Sequence, residues 1–296
     1  MLRKILGFIL ILRPWFWIPA LGPAIAGAIA AKCGIPSSDT LLAIFFIFGP
    51  GIPGAAEALN DFFDRKCDTI EGIRVVFGIP SSGGSGMIQR RWVTAKETLF
   101  LAVFLFLSVL VISWMISKTL FCISLVSIFL AVTYSAPPIR WKGRGVWSCI
   151  VQAIFYGFIS FNTGWFLSCG KFNLSPALAG ILLGMLIIGY GSTADIADYA
   201  RDKKNKIKTL PVVYGPKAAS IFYAVLMILP YLLALVFHSL GVLRVNNILL
   251  ITLVSVTCYL AWRTMVDHSV ENISKIHMMG VMLEGIAPFL FVTSIY

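Results

Sequence analysis

Charge is what this chain has least of. Only 12% of its 296 residues are Asp, Glu, Lys or Arg, and just 13 of them are acidic. A water-soluble domain of this size could not cover its surface with so few charges. Paired cysteines are missing too: Cys33, Cys67, Cys122, Cys149, Cys169 and Cys258 form no CxxC pair and lie mostly inside apolar runs. That spacing excludes a disulfide frame or a zinc knuckle and marks them as small apolar residues. The three histidines, His238, His268 and His277, stand far apart near the ends of apolar runs, which argues against a histidine metal centre. No low-complexity segment and no linker long enough to divide soluble domains is present.

What the chain has is hydrophobicity, with 58% apolar residues and a mean hydropathy of +0.89. Apolar stretches long enough to cross about 30 Å of hydrocarbon fall near 5–31, 40–60, 97–117, 119–135, 146–169, 174–197, 217–241, 246–265 and 277–296. The pattern predicts an all-α polytopic membrane protein of nine spans. The first stretch runs through Arg13-Pro14-Trp15 with no small-residue cleavage site, so it reads as a retained span.

When the loops are assigned alternately, one side collects Arg3, Lys4, Arg65, Lys66, Arg74, Arg90, Arg91, Lys96, Arg140, Lys142, Arg144, Arg201, Lys203, Lys204, Lys206, Lys208, Lys217, Arg263 and Lys275. The other receives only Lys32, Lys118, Lys171 and Arg244. The positive-inside rule then puts the amino terminus and the basic loops in the cytoplasm and Tyr296 outside, at the plasma membrane if the source is prokaryotic. The net charge of +11 follows from these short loops, which meet anionic phosphates, and does not point to nucleic acid.

Two acidic clusters share one spacing. Asn60-Asp61-Phe62-Phe63-Asp64-Arg65-Lys66-Cys67-Asp68 and Asp195-Ile196-Ala197-Asp198-Tyr199-Ala200-Arg201-Asp202 both place carboxylates at i, i+3 and i+7. At about 100° per residue these fall on one helix face, a stripe that repels itself unless cations bind it. Carboxylates that leave room for water and phosphate oxygens suit Mg²⁺. The chain therefore reads as one that holds a diphosphate at a membrane surface. The second cluster begins 134 residues after the first, and each ends the second span of a four-span group. An internal duplication is expected, with half-repeats at about 1–145 and 146–265 in a single 1–296 domain. Parallel halves would face the clusters across a central cavity, with a ninth helix at about 277–296 appended.

Three segments carry a family likeness: Asn60-Asp61-x-x-Asp64-x-x-x-Asp68, Tyr134-Ser135-Ala136-Pro137-Pro138-Ile139-Arg140-Trp141-Lys142, and Asp198-x-x-x-Asp202 followed by Lys208-Thr209-Leu210-Pro211-Val212-Val213-Tyr214-Gly215. In order and spacing they resemble the signatures of the UbiA superfamily of intramembrane prenyltransferases. The resemblance implies transfer of an isoprenoid from its diphosphate to a lipophilic or aromatic acceptor of quinone, chlorophyll or lipid biosynthesis, with Mg²⁺ held by both aspartate motifs. Two departures leave the acceptor open. Ala194 stands where the family often has tyrosine, with Asp195 beside it. The loop Ile79-Pro80-Ser81-Ser82-Gly83-Gly84-Ser85-Gly86 looks like the naphthoate and quinone branch, whereas the Tyr-Ser-x-Pro-Pro segment looks like the chlorophyll and glycerolipid branch.

The chemistry gives each residue a role. The metal set is Asn60, Asp61, Asp64 and Asp68 in one motif and Asp195, Asp198 and Asp202 in the other, and Asp64, Asp68, Asp198, Asp202 and Tyr134 are expected to carry catalysis. Arg140, Lys142, Lys203 and Lys204 are candidates to grip diphosphate, with Asn60 alongside; otherwise the lysines only set topology. The Tyr134 ring can face an allylic cation, or simply anchor at the interface. The glycine-rich loop either closes over the diphosphate with its N–H groups or is a plain connection. Glu284, an acid inside the ninth span, is a functional candidate or a packing partner. Two other functions compete: a membrane terpene cyclase using the same ionisation, and a transporter, which would place its acids at the midplane rather than at span ends.

Overall fold

The computed structural model describes residues 2–32 and 34–292. Among them, nine helical segments are long and apolar enough to cross a membrane: α1 (Leu2–Ala31), α2 (Ser38–Asp64), α3 (Ala95–Ile116), α4 (Lys118–Ser135), α5 (Val146–Cys169), α6 (Leu174–Ala197), α7 (Pro216–Ser239), α8 (Asn247–Val266) and α9 (Val270–Phe291). The expected all-α class holds with one small exception, an antiparallel hairpin of β1 (Arg74–Val76) and β2 (Ile79–Ser82) between α2 and α3. α9 starts earlier than the hydropathy suggests, because Glu271, Asn272, Ser274 and Lys275 lower the apolar signal of its first turns while the Ser269 side chain caps it. Tyr296, and with it the expected exit of the carboxyl terminus, lies outside the described residues, as does Cys33.

The chain divides into two compact units, one of residues 2–17 and 45–141 and the other of 18–44 and 142–292. Two of the three cuts fall within α1 and α2, and the third, at 141/142, lies in the loop between α4 and α5; compactness and internal repetition are separate properties.

In the first unit, α3 begins at a capping box: Thr94 accepts from the Glu97 amide and Glu97 accepts from the Thr94 amide. Phe100, Phe104, Leu107, Val111 and Trp114 recur every three or four residues and stay exposed, the stripe expected of a helix facing lipid. The other face is buried, and there the Ser113 hydroxyl meets the Ser124 hydroxyl of α4 at 2.7 Å. α2 is not a regular helix throughout. Residues Ile47–Gly54 form a wide-turn stretch around Gly49, Pro50, Gly51 and Pro53. Proline removes amide donors there, so the helix is re-aimed before its acidic end.

In the second unit, small residues replace hydrophobic force as the means of close approach, as expected within lipid. A Cβ on Gly164 of α5 would overlap the Ala24 carbonyl of α1, and one on Gly157 would overlap the backbone at Gly184 of α6. Tyr190 and Thr257 join hydroxyls at 2.5 Å across α6 and α8. His238 and His268 serve such packing as well, facing the Leu243 carbonyl at 3.2 Å and the Ser220 hydroxyl at 3.0 Å.

Gly164→Val tests the α1 to α5 contact. Two branched methyl groups against backbone should lower stability by about 1–3 kcal/mol or more, read as a drop in the thermal midpoint of the detergent-purified protein. Ile181→Leu, on an exposed face, should change it by less than about 0.5 kcal/mol.

Candidate functional site

The first acidic motif does not ride on one continuous helix. The regular helix ends at Asp64, and Asp68 follows one turn later, tied back by its amide to the Asp64 carbonyl at 2.9 Å. Arg65 closes this end by donating to the Phe62 carbonyl while its guanidinium lies 4.4 Å from the centre of the Phe62 ring. The Tyr-Ser-Ala-Pro-Pro-Ile-Arg segment folds onto the same place. Ser135 donates to the Asn60 side chain at 3.2 Å, and Arg140 Nη2 reaches Asp64 Oδ1 at 2.9 Å. The Trp141 indole donates back to the Thr133 hydroxyl at 3.1 Å, which pins the loop to α4. Asn60, Asp64, Ser135 and Arg140 therefore form one cluster, with Tyr134 half-buried beside Ser135.

Asp61 is different. It is 4% exposed and lies between the Arg13 guanidinium and Ser85, whose amide donates to Oδ2 at 3.0 Å and whose hydroxyl donates to the same oxygen. Arg13 also reaches Glu57 at 3.0 Å. Both Asp61 oxygens are thus engaged, so in this arrangement Asp61 anchors the glycine-rich loop. That loop does not offer the Ser85 amide to a phosphate, because Asp61 has taken it. Gly83 and Gly84 have φ near +84° and +85°, and a Cβ on Gly84 would stand 2.6 Å from Asp68 Oδ2, so glycine is what lets the loop pass over that carboxylate. The sequence reading missed Arg13, Glu57 and Ser85. A lone arginine inside an apolar stretch was the available signal.

In the second unit Asp198 sits between two short helices, Ala194–Ala197 and Tyr199–Lys204, so this motif also bends. Asp198 and Asp202 are buried, and Arg201 serves both, at 2.6 Å from Asp198 and 3.7 Å from Asp202. Burial, followed by repulsion from Asp198, pushes the Asp202 carboxyl up to about 6, and Arg201 only partly opposes this. A raised carboxyl favours the protonated form, so ionising Asp202 costs folded-state stability as pH rises from its ordinary 3.8 through about 6. Asp195 is half-buried at the end of α6. Lys203 and Lys204 are exposed, and Lys203 leans on Tyr199, 3.3 Å from its hydroxyl. Lys142 is half-buried, and just beyond it Gly145 donates to the Lys208 carbonyl at 2.6 Å, which brings the Lys142 loop beside the basic loop after Asp202.

The donor chemistry suits a hard cation: carboxylates and an amide oxygen, with two buried like charges in the second motif. As the side chains stand, no three His, Cys, Asp or Glu residues among those described converge closely enough to hold a metal. In each cluster an arginine guanidinium lies where a cation would neutralise the acids. Asp61, saturated by Arg13 and Ser85, fits a metal least well.

The nine apolar spans make this an integral, multi-pass membrane protein. The model of the UbiA prenyltransferase family matches residues 20–282, and the chain belongs to that family. It is 26% identical over 247 residues to the bacteriochlorophyll synthase 33 kDa chain of Rhodobacter capsulatus, covering 79% of this chain and 77% of that protein. It is 26% identical over 225 residues to digeranylgeranylglyceryl phosphate synthase of Pyrococcus furiosus, covering 75% and 74%. The structure of a UbiA homolog from Archaeoglobus fulgidus bound to DMAPP and Mg²⁺ has the same fold, with a TM-score of 0.70 at 19% identity over 96% of this chain and 99% of that one.

Arg13→Ala would remove the guanidinium that lies between the half-buried Glu57 and the buried Asp61. Stability should fall by about 3–5 kcal/mol, seen as a lower thermal midpoint in detergent. Arg13→Lys should recover only part, because an ammonium lacks the two-pronged guanidinium geometry. An alanine variant as stable as the parent would remove Arg13 from this role.

Proposed function

We propose that the chain catalyses Mg²⁺-dependent transfer of a prenyl group from a prenyl diphosphate to a lipophilic or aromatic acceptor, releasing diphosphate. The observation that carries this reading is the pair of acidic clusters at span ends, each compensated by an arginine that a metal and a diphosphate could displace. Asp64 and Asp68, with Asn60, would hold one Mg²⁺, and Asp198 and Asp202, with Asp195, the other. When bound, Mg²⁺ supplies positive charge where the leaving diphosphate gathers negative charge.

The remaining roles belong to side chains. Arg140 and Arg201 would turn from carboxylates to phosphate oxygens, where a guanidinium binds two oxygens at once. Lys142 would add a point charge, while the exposed Lys203 and Lys204 would attract the anionic head to the loop. The Tyr134 ring would face the allylic carbon as positive charge develops there. The burial of Asp202 beside Asp198 supports metal binding at the second motif: two close, buried carboxylates are groups whose ionised forms a cation would stabilise. The Archaeoglobus homolog bound to DMAPP and Mg²⁺ supports the donor class. The bacteriochlorophyll and digeranylgeranylglyceryl phosphate synthases support a lipid-soluble acceptor. The bias of Arg and Lys supports a cytoplasmic site and amino terminus.

Asp64→Ala and Asp198→Ala should each lower turnover by about 100-fold or more while the protein stays folded, and EDTA should do the same. Lys142→Ala should lower kcat/KM for the donor by about 1.5–3 kcal/mol, the range for a hydrogen bond to a charged group. Near-normal turnover in either folded aspartate variant would sink the two-metal assignment. For orientation, a cysteine placed at Arg74 should resist an impermeant thiol reagent added outside intact cells; ready labelling would reverse the topology.

A further inference from the structure

At the end of the second unit opposite its acidic motif, a cavity of about 210 Å³ lies among α1, α5, α6, α9 and the loop between α7 and α8. Ser175 borders it at the start of α6, and Asp195 stands near the far end of that helix, roughly 30 Å along the axis. Every polar side chain of its lining can donate a hydrogen bond: Arg244 from the loop, Ser175 from α6 and Trp165 from α5, with no Asp or Glu among the lining residues. The Trp165 indole N–H is enclosed and has no hydrogen-bond partner among the described residues, and a buried donor in that state calls for an acceptor. Arg244 makes no ion pair among them either. The Asn173 side chain does not cap α6, so the first-turn amides add to the same positive end.

These donors stand on fixed backbone. The Asn162 amide of α5 donates to the Pro176 carbonyl at 3.2 Å, and the Asn246 amide donates to the Leu290 carbonyl at 2.9 Å, which ties the loop to α9. Gly241 turns that loop at φ +71°, and the Val242 amide returns to the Phe237 carbonyl at 2.9 Å. Phe161 and Phe291 supply an apolar wall, their rings edge to face with centroids 6.1 Å apart. The volume is below the ~300–1,000 Å³ of pockets that take drug-sized molecules, so it suits a headgroup and not a whole prenyl chain.

We propose that this cavity binds the phosphodiester of an anionic phospholipid from the leaflet opposite the acidic motifs. Arg244 grips phosphate oxygens, the Trp165 N–H and the Ser175 hydroxyl donate to others, and the glycerol end rests on the two phenylalanines. With no acid in the lining, nothing there pairs with the ammonium of a zwitterionic head. The site is separate from the diphosphate site and does not depend on prenyl transfer.

The test is native mass spectrometry of the delipidated full chain titrated with dioleoyl phosphatidylglycerol. One lipid should bind more tightly than the rest, and dioleoylglycerol, which lacks the phosphate, should bind about tenfold more weakly. Arg244 is exposed, so Arg244→Gln should fold, and it should weaken the phospholipid by about tenfold or more. Arg244→Lys should recover part of that loss. Trp165→Phe, which keeps a ring and removes the N–H, should weaken it by about threefold or more. Lys118→Gln, at an exposed basic residue outside the cavity, should change it by less than about threefold, because exposed charges are screened. Unchanged affinity in Arg244→Gln or Trp165→Phe overturns the proposal, as does equal binding of dioleoylglycerol. Equal weakening by Lys118→Gln overturns it too, since the attraction is then general. A second arm adds inorganic phosphate, and an ion that displaces the lipid would make the ligand free phosphate and overturn the lipid assignment.

Discussion

An acid held away from water at the edge of a membrane must be given a cation, and much of this molecule follows from that requirement. Arg13 lies between Glu57 and Asp61, Arg140 reaches Asp64, and Arg201 spans Asp198 and Asp202. Each arginine comes from a place where the helix is interrupted or has just ended: the Arg13-Pro14 break, the loop after α4, and the short helix after Asp198. Guanidinium is the suitable partner because it stays charged at every relevant pH and binds two oxygens in a plane.

The three pairings are not equivalent. The Arg13 set is largely buried, with Ser85 supplying further donors to Asp61, so it fixes the glycine-rich loop and holds the end of α2. Arg140 and Arg201 are about a third exposed, whereas the Arg13 side chain is 7% exposed. An arrangement of this kind can exchange one cation for another, whereas the Arg13 set would lose a buried charge balance in doing so. The same reasoning separates Glu284 from the rest, since it is the buried acid that no cation compensates among the described residues.

Nine apolar spans were legible because length and hydropathy depend only on local composition, and their boundaries mostly agree with the helices. The two acidic motifs were legible in their spacing, whereas the bend in α2 around Gly49-Pro50-Gly51 and Pro53 emerges only in the structure. Less legible was how those motifs sit. A regular 100° period placed each stripe on one continuous helix, yet the first ends at Asp64 and the second breaks at Asp198, because capping and loop contacts decide where a helix stops. The hairpin at 74–82 is hard to tell from a loop in the sequence, its strands being only three and four residues long. Arg13 stands in the sequence only as an arginine within the first apolar stretch; its partners lie 44 and 48 residues away, a distance that no local pattern reports. For Asp61 the spacing identified an acid at the site but not that Ser85 would occupy it.

The central claim is prenyl transfer driven by metal-assisted loss of diphosphate. Its most direct test is mass spectrometry of products after the purified chain is incubated with prenyl diphosphates of several lengths, with and without Mg²⁺, and with quinone precursors, glyceryl phosphates or porphyrin acids. The account predicts a product heavier than one acceptor by the prenyl group, formed together with diphosphate and only when Mg²⁺ is present. A prenyl hydrocarbon released without any acceptor, or no change in any mixture, would contradict it.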